Sequence, residues 1–230
     1  MATLKTHWII WTRHRGVAVP TNGLLAYYPF EENWNDISGN ENNATVVWCS
    51  FGQVGNKKWV RLETGWWYDP SNYIISPLTY IQTPVTAICW IYQTYQYNRE
   101  NFMSNTQQDQ HPDSSNNIRL RTTSNRFLLT SYWTSEEYFG KSSYLTIPLN
   151  EWKMVWITIS GTSGILYIDG EVYGTFTAWT QNWNTGPRAW GRAERQSSWF
   201  HCWCWWIRHS AIYNRAITTQ EMRNFYTQTV

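Results

Sequence analysis

The residues Gly164-Ile-Leu-Tyr-Ile-Asp-Gly-Glu-Val-Tyr-Gly174 predict a β-hairpin that turns at Asp169-Gly170. Asp-Gly favours a two-residue hairpin turn, because both central residues of that turn adopt positive φ angles. The preceding run Lys153-Met-Val-Trp-Ile-Thr-Ile159 is largely apolar and predicts another strand. This part of the chain therefore indicates a β protein.

Further short strands are predicted on either side of this stretch. Ala44–Phe51 is rich in β-branched and aromatic residues and lies between Asn-rich and Gly-rich turns. Thr86–Tyr92 is apolar on both of its alternating faces, which is typical of a strand covered on each side. Ile118–Arg121 alternates, with its arginines on the solvent face.

One helix is predicted, near the C-terminal end. Thr218-Thr-Gln-Glu221 forms a capping box ahead of Met222, Phe225 and Tyr226, which recur at helical spacing. Many strands, one short terminal helical turn and no alternation of strands with helices predict an all-β fold. The predicted architecture is a two-sheet antiparallel jelly-roll sandwich.

Composition limits the class of protein. Charged residues make up 15% of the 230 residues and the formal net charge is +2, so nucleic acid is not an indicated partner. Trp (18) and Tyr (15) far outnumber Phe (8), an excess that is typical of strands and of contact surfaces. No apolar run is long enough to span a bilayer.

The N-terminal residues do not predict a signal peptide, because the apolar stretch within Met1–Trp11 is short and Arg13-His-Arg15 follows it. We expect an extracellular protein, or one on a virion or cell surface, whose signal was removed or which leaves the cell by host lysis. Residues 1–22 are predicted to form an N-terminal arm and residues 23–230 one β-sandwich domain. The arm is interpreted either as a disordered tail or as a segment that docks on a neighbouring subunit.

Three segments resemble a known family. Gly23-Leu-Leu-Ala-Tyr-Tyr-Pro-Phe30, followed by Asn35-Asp-Ile-Ser-Gly-Asn40, is similar to the opening strand and loop of laminin-G-like, concanavalin A-like lectin domains. Trp152 and Leu166–Gly170 resemble that family's central strand and hairpin. Ile212–Ile217, with the capping box after it, resembles the closing strand and terminal turn.

The resemblance covers roughly residues 23–227. It implies a jelly roll whose chain termini lie close together, and recognition of glycans or proteins, in some members with bound calcium. Before Ile212 the family has a glycine followed by acidic residues, whereas this chain has Trp205 and then Arg208-His209. Two interpretations stay open: divergence for a special contact, or uncertain residue identities in the Trp-rich segment 199–206.

The predicted metal ligands are Asp36, Ser38, Asn40 and Asn42, and the predicted cofactor is calcium. These residues offer oxygen atoms on one tight Gly-containing loop, and calcium binds oxygen. The alternative is an Asx-type turn, in which the side chains bond to their own backbone. A site with so few carboxylates would bind calcium weakly.

The chain contains four cysteines: Cys49, Cys89, Cys202 and Cys204. Their spacing gives no disulfide framework, and buried free thiols are predicted, although a Cys49–Cys89 bridge is possible if their strands are neighbours. A zinc site combining Cys202 and Cys204 with His201 and His209 is not favoured. On a strand the cysteines would face one way and the histidines the other.

Catalysis is not predicted. Glycoside hydrolysis requires two carboxyl groups about 5–10 Å apart across a groove. The nearest candidates are Asp169 and Glu171, but the hairpin turn already explains Asp169. Glu136 and Glu137 are adjacent and would point to opposite faces of a strand.

The predicted ligand-binding residues form two groups, Trp66, Trp67 and Tyr68, and Trp179, Gln181 and Trp183. Three consecutive aromatic residues cannot all point into one core, because strand neighbours alternate. Sugar rings stack on Trp and Tyr while amides bind hydroxyl groups. Subunit packing favours the same residue types, and both interpretations stay open.

The leading hypothesis from the sequence is a non-catalytic, lectin-like recognition or adhesion domain that binds a carbohydrate or a cell-surface protein. The alternative is a structural subunit of a virion, fibre or extracellular filament. In that role the basic arm would be used for self-assembly into an oligomer or larger array, and the surplus of Trp would serve subunit contacts.

Overall fold

The computed structural model describes residues 11–14, 17–47, 49–55, 57–62, 73–78, 81, 84–94, 100–104, 118–123, 126–131, 135–138, 148–161, 163–177, 189–190 and 205–230. The elements in chain order are β1 Trp11–His14, β2 Val17–Pro20, β3 Leu24–Tyr28, β4 Thr45–Val47, β5 Ser50–Val54, β6 Lys57–Leu62, β7 Tyr73–Ile75, β8 Val85–Gln93, β9 Glu100–Ser104, β10 Ile118–Thr123, β11 Arg126–Ser131, β12 Ser135–Tyr138, β13 Trp152–Ser160, β14 Ser163–Ile168, β15 Glu171–Thr177, β16 Ala189–Trp190, β17 Trp205–Tyr213 and α1 Thr219–Thr229.

Most strands belong to two antiparallel sheets. The first has eight strands, in the order β15-β14-β13-β8-β17-β6-β5, with β3 paired to the second half of β17. The second has seven strands, in the order β12-β11-β10-β9-β16-β7-β4. β1 and β2 pair separately with each other. The predicted all-β, antiparallel two-sheet fold is confirmed.

One apolar cluster, called the inner cluster, joins the two sheets. It combines Cys89 and Ile91 of β8, Ile157 of β13 and Ile207 of β17 with Ile74 of β7, all of them buried. Each such aliphatic side chain contributes roughly 1.5–3 kcal/mol when it leaves water. The inner cluster therefore holds the sheets face to face.

The opposite face of the eight-stranded sheet carries a second apolar cluster, the outer cluster, which α1 covers. Ile88 and Trp90 of β8 belong to it together with Met222 and Phe225 of α1. Trp90 Nε1 also donates a hydrogen bond to Thr229 Oγ1 at 2.7 Å. This double burial explains why both faces of Thr86–Tyr92 are apolar, as the sequence predicted.

The predicted capping box begins α1. The Thr218 hydroxyl accepts from the Glu221 N–H, and the Glu221 carboxylate accepts from the Thr218 N–H. Arg215 adds two further bonds to this carboxylate, at 2.6 and 2.9 Å. With 11 residues, α1 is a helix of about three turns, longer than the predicted turn. No helix within the described ranges has the length and apolarity of a membrane span.

The hairpin at Asp169-Gly170 is confirmed. β14 and β15 pair across it, and the two residues have φ angles of 51° and 87°, as this turn requires. Asp169 also ties the turn to β13, because its Oδ1 accepts from the Met154 N–H at 2.9 Å. Its Oδ2 lies 2.9 Å from Lys153 Nζ.

The prediction of one strand over Ala44–Phe51 is wrong. β4 joins the seven-stranded sheet through β7, whereas β5 joins the eight-stranded sheet through β6. The chain crosses between sheets within this run. Val46 and Phe51 still pack against the same inner cluster, so an apolar run here reflects a core shared by two sheets.

Part of the predicted arm lies on the domain. β1 and β2 form a hairpin, and β2 contacts α1. Val19 of β2 is fully buried in the outer cluster. The role of residues 1–22 in assembly stays a prediction.

Candidate functional site

Four adjacent strands of the eight-stranded sheet meet at one end of it. β6 and β8 finish there while β13 and β17 begin there, since Trp205 pairs with Leu62 and Gln93, and Trp152 pairs with Tyr92. Residues at matching positions of neighbouring strands lie side by side on one face. The outer face at this end carries an arginine–tryptophan row, made of Trp59 and Arg61 of β6, Trp206 and Arg208 of β17, Trp90 and Tyr92 of β8, and Trp152 of β13.

Arg208 lies at the centre of this row. Its Cζ is 4.5 Å from the ring centroids of Trp90 and of Trp152 and 5.1 Å from that of Trp59. The rings of Trp59 and Trp152 meet edge to face, with centroids 5.7 Å apart, although β17 and β8 separate their strands. These two rings therefore reach across Arg208, and cation–π attraction stabilises its charge among them.

The guanidinium of Arg208 has aromatic rings against its faces, but a donor at its edge makes no hydrogen bond. The residue is 7% exposed, and its buried Nε–H has no hydrogen-bond partner. Burial lowers the pKa of Arg208 to about 10, against an opposing effect of the Glu31 charge nearby. A buried donor without an acceptor costs about 1–3 kcal/mol, so this cation is held in place without being fully satisfied.

A second arginine stacks at the same end of the sheet. Arg61 Cζ lies 5.5 Å from the ring of Trp206. That ring lies against β5, where a Cβ on Gly52 would stand 2.3 Å from it, so only glycine leaves the indole room. Arg61, Trp152 and Tyr92 are half-buried, which brings this part of the row to the solvent.

His209 follows Arg208 at a bulge in β17. The register with β8 shifts between Arg208 and Ala211, and His209 has a φ angle of 46°, in the left-handed region that is common in bulges. Its N–H donates to the Pro29 carbonyl at 3.0 Å, and its Nδ1 lies 2.8 Å from the Tyr27 hydroxyl. These two bonds fix the bulge and with it the direction of the Arg208 side chain.

These contacts bear on the departure from the family pattern before Ile212. Arg208 and His209 stand where the family has acids, and both are buried in specific contacts with aromatic side chains. Both interpretations of the Trp-rich segment 199–206 stay open.

The loop 35–43, called the Asp36 loop, contains the predicted calcium ligands. Asp36 Oδ1 accepts from the N–H groups of Tyr27 and Ser38, both at 2.8 Å. Its Oδ2 accepts from the Ser38 hydroxyl at 2.8 Å and from the Asn42 N–H at 2.9 Å. The amides of Asn40 and Asn42 donate to backbone carbonyls of β3 at 2.9 and 2.8 Å. The structure thus brings all four predicted ligands together as an Asx-type turn.

This arrangement is not a preformed calcium site. A carboxylate offers about four acceptor positions, and the protein's own donors already use four on Asp36. Calcium takes six to eight oxygens, so an ion would have to displace some of these donors. Within the described part of the chain, no three His, Cys, Asp or Glu side chains are grouped to hold a metal. Calcium binding stays a prediction.

Two of the acids considered for glycoside hydrolysis have other partners. Asp169 closes the hairpin turn and pairs with Lys153. Glu171 is exposed and pairs with Arg223 of α1 at 3.1 Å. Glu136 and Glu137 are consecutive on β12, and their pointing to opposite faces stays a prediction. These contacts give Asp169 and Glu171 structural roles.

The predicted ligand-binding residues Trp66, Trp67, Tyr68, Trp179, Gln181 and Trp183 lie outside the described residues, as do His201, Cys202 and Cys204. Their roles stay predictions. Cys49 and Cys89 are free thiols, as predicted. Burial raises the pKa of Cys49 to about 12 and raises that of Cys89 as well, which favours the protonated form of both thiols.

Reasoning from the sequence misses the arginine–tryptophan row. Trp90 and Trp152 are predicted only as strand residues, and Arg208 only as a departure from the family pattern. That departure is the available signal, because a cation replaces an acid within an apolar strand. The partners of the cation become visible only when the strands are placed side by side.

A family model described as the concanavalin A-like lectin/glucanases superfamily matches residues 69–223, more than half of the chain. A search of the curated protein sequences found no match.

Among solved structures, domain 4 of AbnA, a GH43 extracellular arabinanase from Geobacillus stearothermophilus, in complex with arabinotriose, is similar with a TM-score of 0.67 at 16% identity. The match covers 88% of this chain and 98% of that one. The receptor-binding domain of botulinum neurotoxin type G matches with a TM-score of 0.63 at 15% identity, over 90% of this chain and 51% of that one. The binding domain of botulinum neurotoxin DC in complex with rat synaptotagmin II matches with a TM-score of 0.63 at 13% identity, over 91% and 52%. This chain spans about half the length of the two neurotoxin domains, and the three likenesses show the fold.

Proposed function

The chain belongs to the concanavalin A-like lectin/glucanases superfamily, and we propose that it is a non-catalytic recognition domain that binds carbohydrate beside the arginine–tryptophan row. The observation that carries this proposal is the pair Trp152 and Tyr92. Both side chains are half-buried, and their ring centroids lie 5.4 Å apart with the ring planes inclined at 49°. The Trp152 ring also lies against Arg208. Sugar rings present apolar C–H faces, which suit such an aromatic platform.

The chemistry of the described acids supports recognition over hydrolysis. A glycosidase needs one carboxyl group that gives a proton and a second that acts on the sugar or on water. Asp36 instead accepts hydrogen bonds from its own loop and from β3, Asp169 accepts one from the Met154 N–H of β13, and Glu221 is held by Arg215. We therefore assign these carboxylates to the fold and the aromatic residues to the ligand.

The named neighbours support a binding role of the same general kind. One of them is in complex with the oligosaccharide arabinotriose and another with the protein synaptotagmin II. We propose a carbohydrate in an extracellular or cell-surface setting as the first partner to test, with a cell-surface protein second. The groups Trp66, Trp67 and Tyr68, and Trp179, Gln181 and Trp183 are proposed to extend the surface. The first group follows β6 closely in the sequence, and β6 ends beside the row.

A glycan array, probed with the whole chain with and without calcium, tests the proposal. We expect binding to a defined sugar class, weakened about two- to tenfold by Trp152→Ala and by Tyr92→Ala, since an aromatic contact contributes roughly 0.5–1.5 kcal/mol. The matched control is Trp34→Ala. Trp34 is also half-buried and stacks on Phe51 with centroids 4.4 Å apart, but it packs against the inner cluster. Absence of binding to every sugar class, or equal losses in the Trp34 variant, would contradict the proposal.

The assembly hypothesis has its own test, which is deletion of residues 1–22 followed by a measurement of particle size. A particle size that does not change on deletion excludes the arm as an assembly device.

A further inference from the structure

Arg208 has a buried hydrogen-bond donor that lacks an acceptor. Tryptophan rings lie 4.5 to 5.1 Å from its Cζ, so its planar faces are occupied, while its buried Nε–H lacks an acceptor. The Nε–H and one terminal N–H of a guanidinium point in the same direction. They match the two oxygens of a carboxylate, which accepts from both in parallel.

The arginine–tryptophan row reaches the surface of the protein beside Arg208. The ring of Trp152 lies 4.5 Å from Arg208 Cζ, and Trp152 is half-buried, as is its neighbour Tyr92. A ligand that stacks on these two rings comes within reach of the guanidinium through a short displacement of Trp152. Arg61 adds a second positive charge on the same face, which raises the local concentration of anions.

Among the described residues, no acid forms a hydrogen bond with Arg208 Nε. Glu31 is close enough for its charge to act on Arg208, but it forms no hydrogen bond with Nε. Asp36, Asp169 and Glu221 are engaged at other places in the described structure. An acceptor carried by a ligand would complete this edge.

Resting on the proposed function, we infer that the recognised carbohydrate is acidic. The sugar carries a ring carboxylate of the hexuronate kind, which the edge of Arg208 binds while the sugar ring stacks on Trp152 and Tyr92. Charge and stacking then act on the same residue of the oligosaccharide, and neutral sugars of the same shape are disfavoured.

The test is calorimetric titration of the whole chain with oligogalacturonate and oligoglucuronate, each compared with its fully methyl-esterified form. The ester keeps the shape and removes the charge. We expect the acids to bind about tenfold or more tightly than the esters, because a hydrogen bond to a charged group contributes roughly 1.5–3 kcal/mol, and we expect added salt to weaken only the acids. Equal binding of acid and ester would overturn the inference and leave the proposed function standing. Binding of neutral glycans alone would likewise overturn the inference and leave the proposed function standing. Binding of no glycan at all would end both.

Single substitutions test whether Arg208 is the residue that binds the carboxylate. Arg208→Gln should remove the preference for the acid over the ester, whereas Arg223→Gln, an exposed arginine of α1 paired with Glu171, should keep it. Glu31→Gln should strengthen binding of the acid, because it removes a competing negative charge. A preference that survives in Arg208→Gln would place the carboxylate elsewhere. If that variant does not fold, the comparison of acid and ester on the unaltered chain still decides the inference.

Discussion

The Asp36 loop and the arginine–tryptophan row each hold a charged side chain away from water, and they do so in opposite ways. Asp36 accepts four hydrogen bonds from its own loop and from β3. Arg208 is surrounded by aromatic faces and keeps a buried N–H without an acceptor. A charge that the chain satisfies completely serves the fold. We propose that a charge that it only shields is available for a ligand.

The strongest test of this contrast is Asp36→Ala. The substitution leaves the N–H groups of Tyr27, Ser38 and Asn42 without their acceptor, and the Tyr27 residue is fully buried. We expect the free energy of unfolding to fall by about 2–4 kcal/mol, because each buried unsatisfied group costs about 1–3 kcal/mol. Urea denaturation followed by tryptophan fluorescence measures this change.

Asp36→Asn is the matched control. It keeps one acceptor oxygen but points an amide N–H₂ at donors that need an acceptor, so we expect an intermediate loss of stability. A loss below about 0.5 kcal/mol in the alanine variant would contradict a structural role for the Asp36 carboxylate.

The next test acts on the row through the backbone. In Gly52→Ala the new Cβ would stand 2.3 Å from the ring of Trp206, so the indole and its stacked Arg61 must move. Overpacking of this kind typically costs about 1–3 kcal/mol. In a Trp206→Phe background the smaller ring leaves room, and the same alanine should cost less, as a double-mutant cycle would show. Additive losses would mean that Gly52 and Trp206 do not interact.

The sequence predicts these two regions unequally. The Asp36 loop, the Asp169-Gly170 hairpin and the Thr218 capping box depend on residues close together in the chain, so local patterns identify them. The rings around Arg208 come from positions 59, 90 and 152, on strands that adjoin only after the sheet is assembled. Strand order is set by long-range pairing, which no local pattern reports.

The split of the run Ala44–Phe51 has the same cause. Its alternation is that of one buried strand, but β4 and β5 pair in different sheets. Because both faces of the eight-stranded sheet are apolar, hydrophobicity alone cannot tell which face a residue occupies. This is also why Trp90 looks like an ordinary core residue in the sequence.

A smaller expected effect distinguishes two states of the Arg208 charge: shielding by the tryptophan rings, or ion pairing with Glu31. Arg208→Met keeps an unbranched apolar stem among the tryptophan rings and removes the buried charge. We expect the free energy of unfolding to change by less than about 1 kcal/mol, because replacing a shielded buried charge with a hydrophobic group is often neutral. If Glu31 were a true ion-pair partner, the same variant would cost about 3–5 kcal/mol. Denaturation of Arg208→Met beside Glu31→Gln distinguishes these outcomes.

The smallest expected effect concerns calcium at the Asp36 loop. Because the Asp36 carboxylate already serves four donors of the chain, we expect an ion to compete with those donors and to bind weakly, with a Kd of about 1 mM. At about 1 mM calcium such a site stabilises the fold by only about 0.4 kcal/mol. Thermal unfolding with calcium, with magnesium and with a chelator measures this shift, and Asp36→Asn should abolish it. A shift of several kcal/mol would show that the loop reorganises around calcium, and Asp36 would then join Arg208 as a charge that we propose serves a ligand.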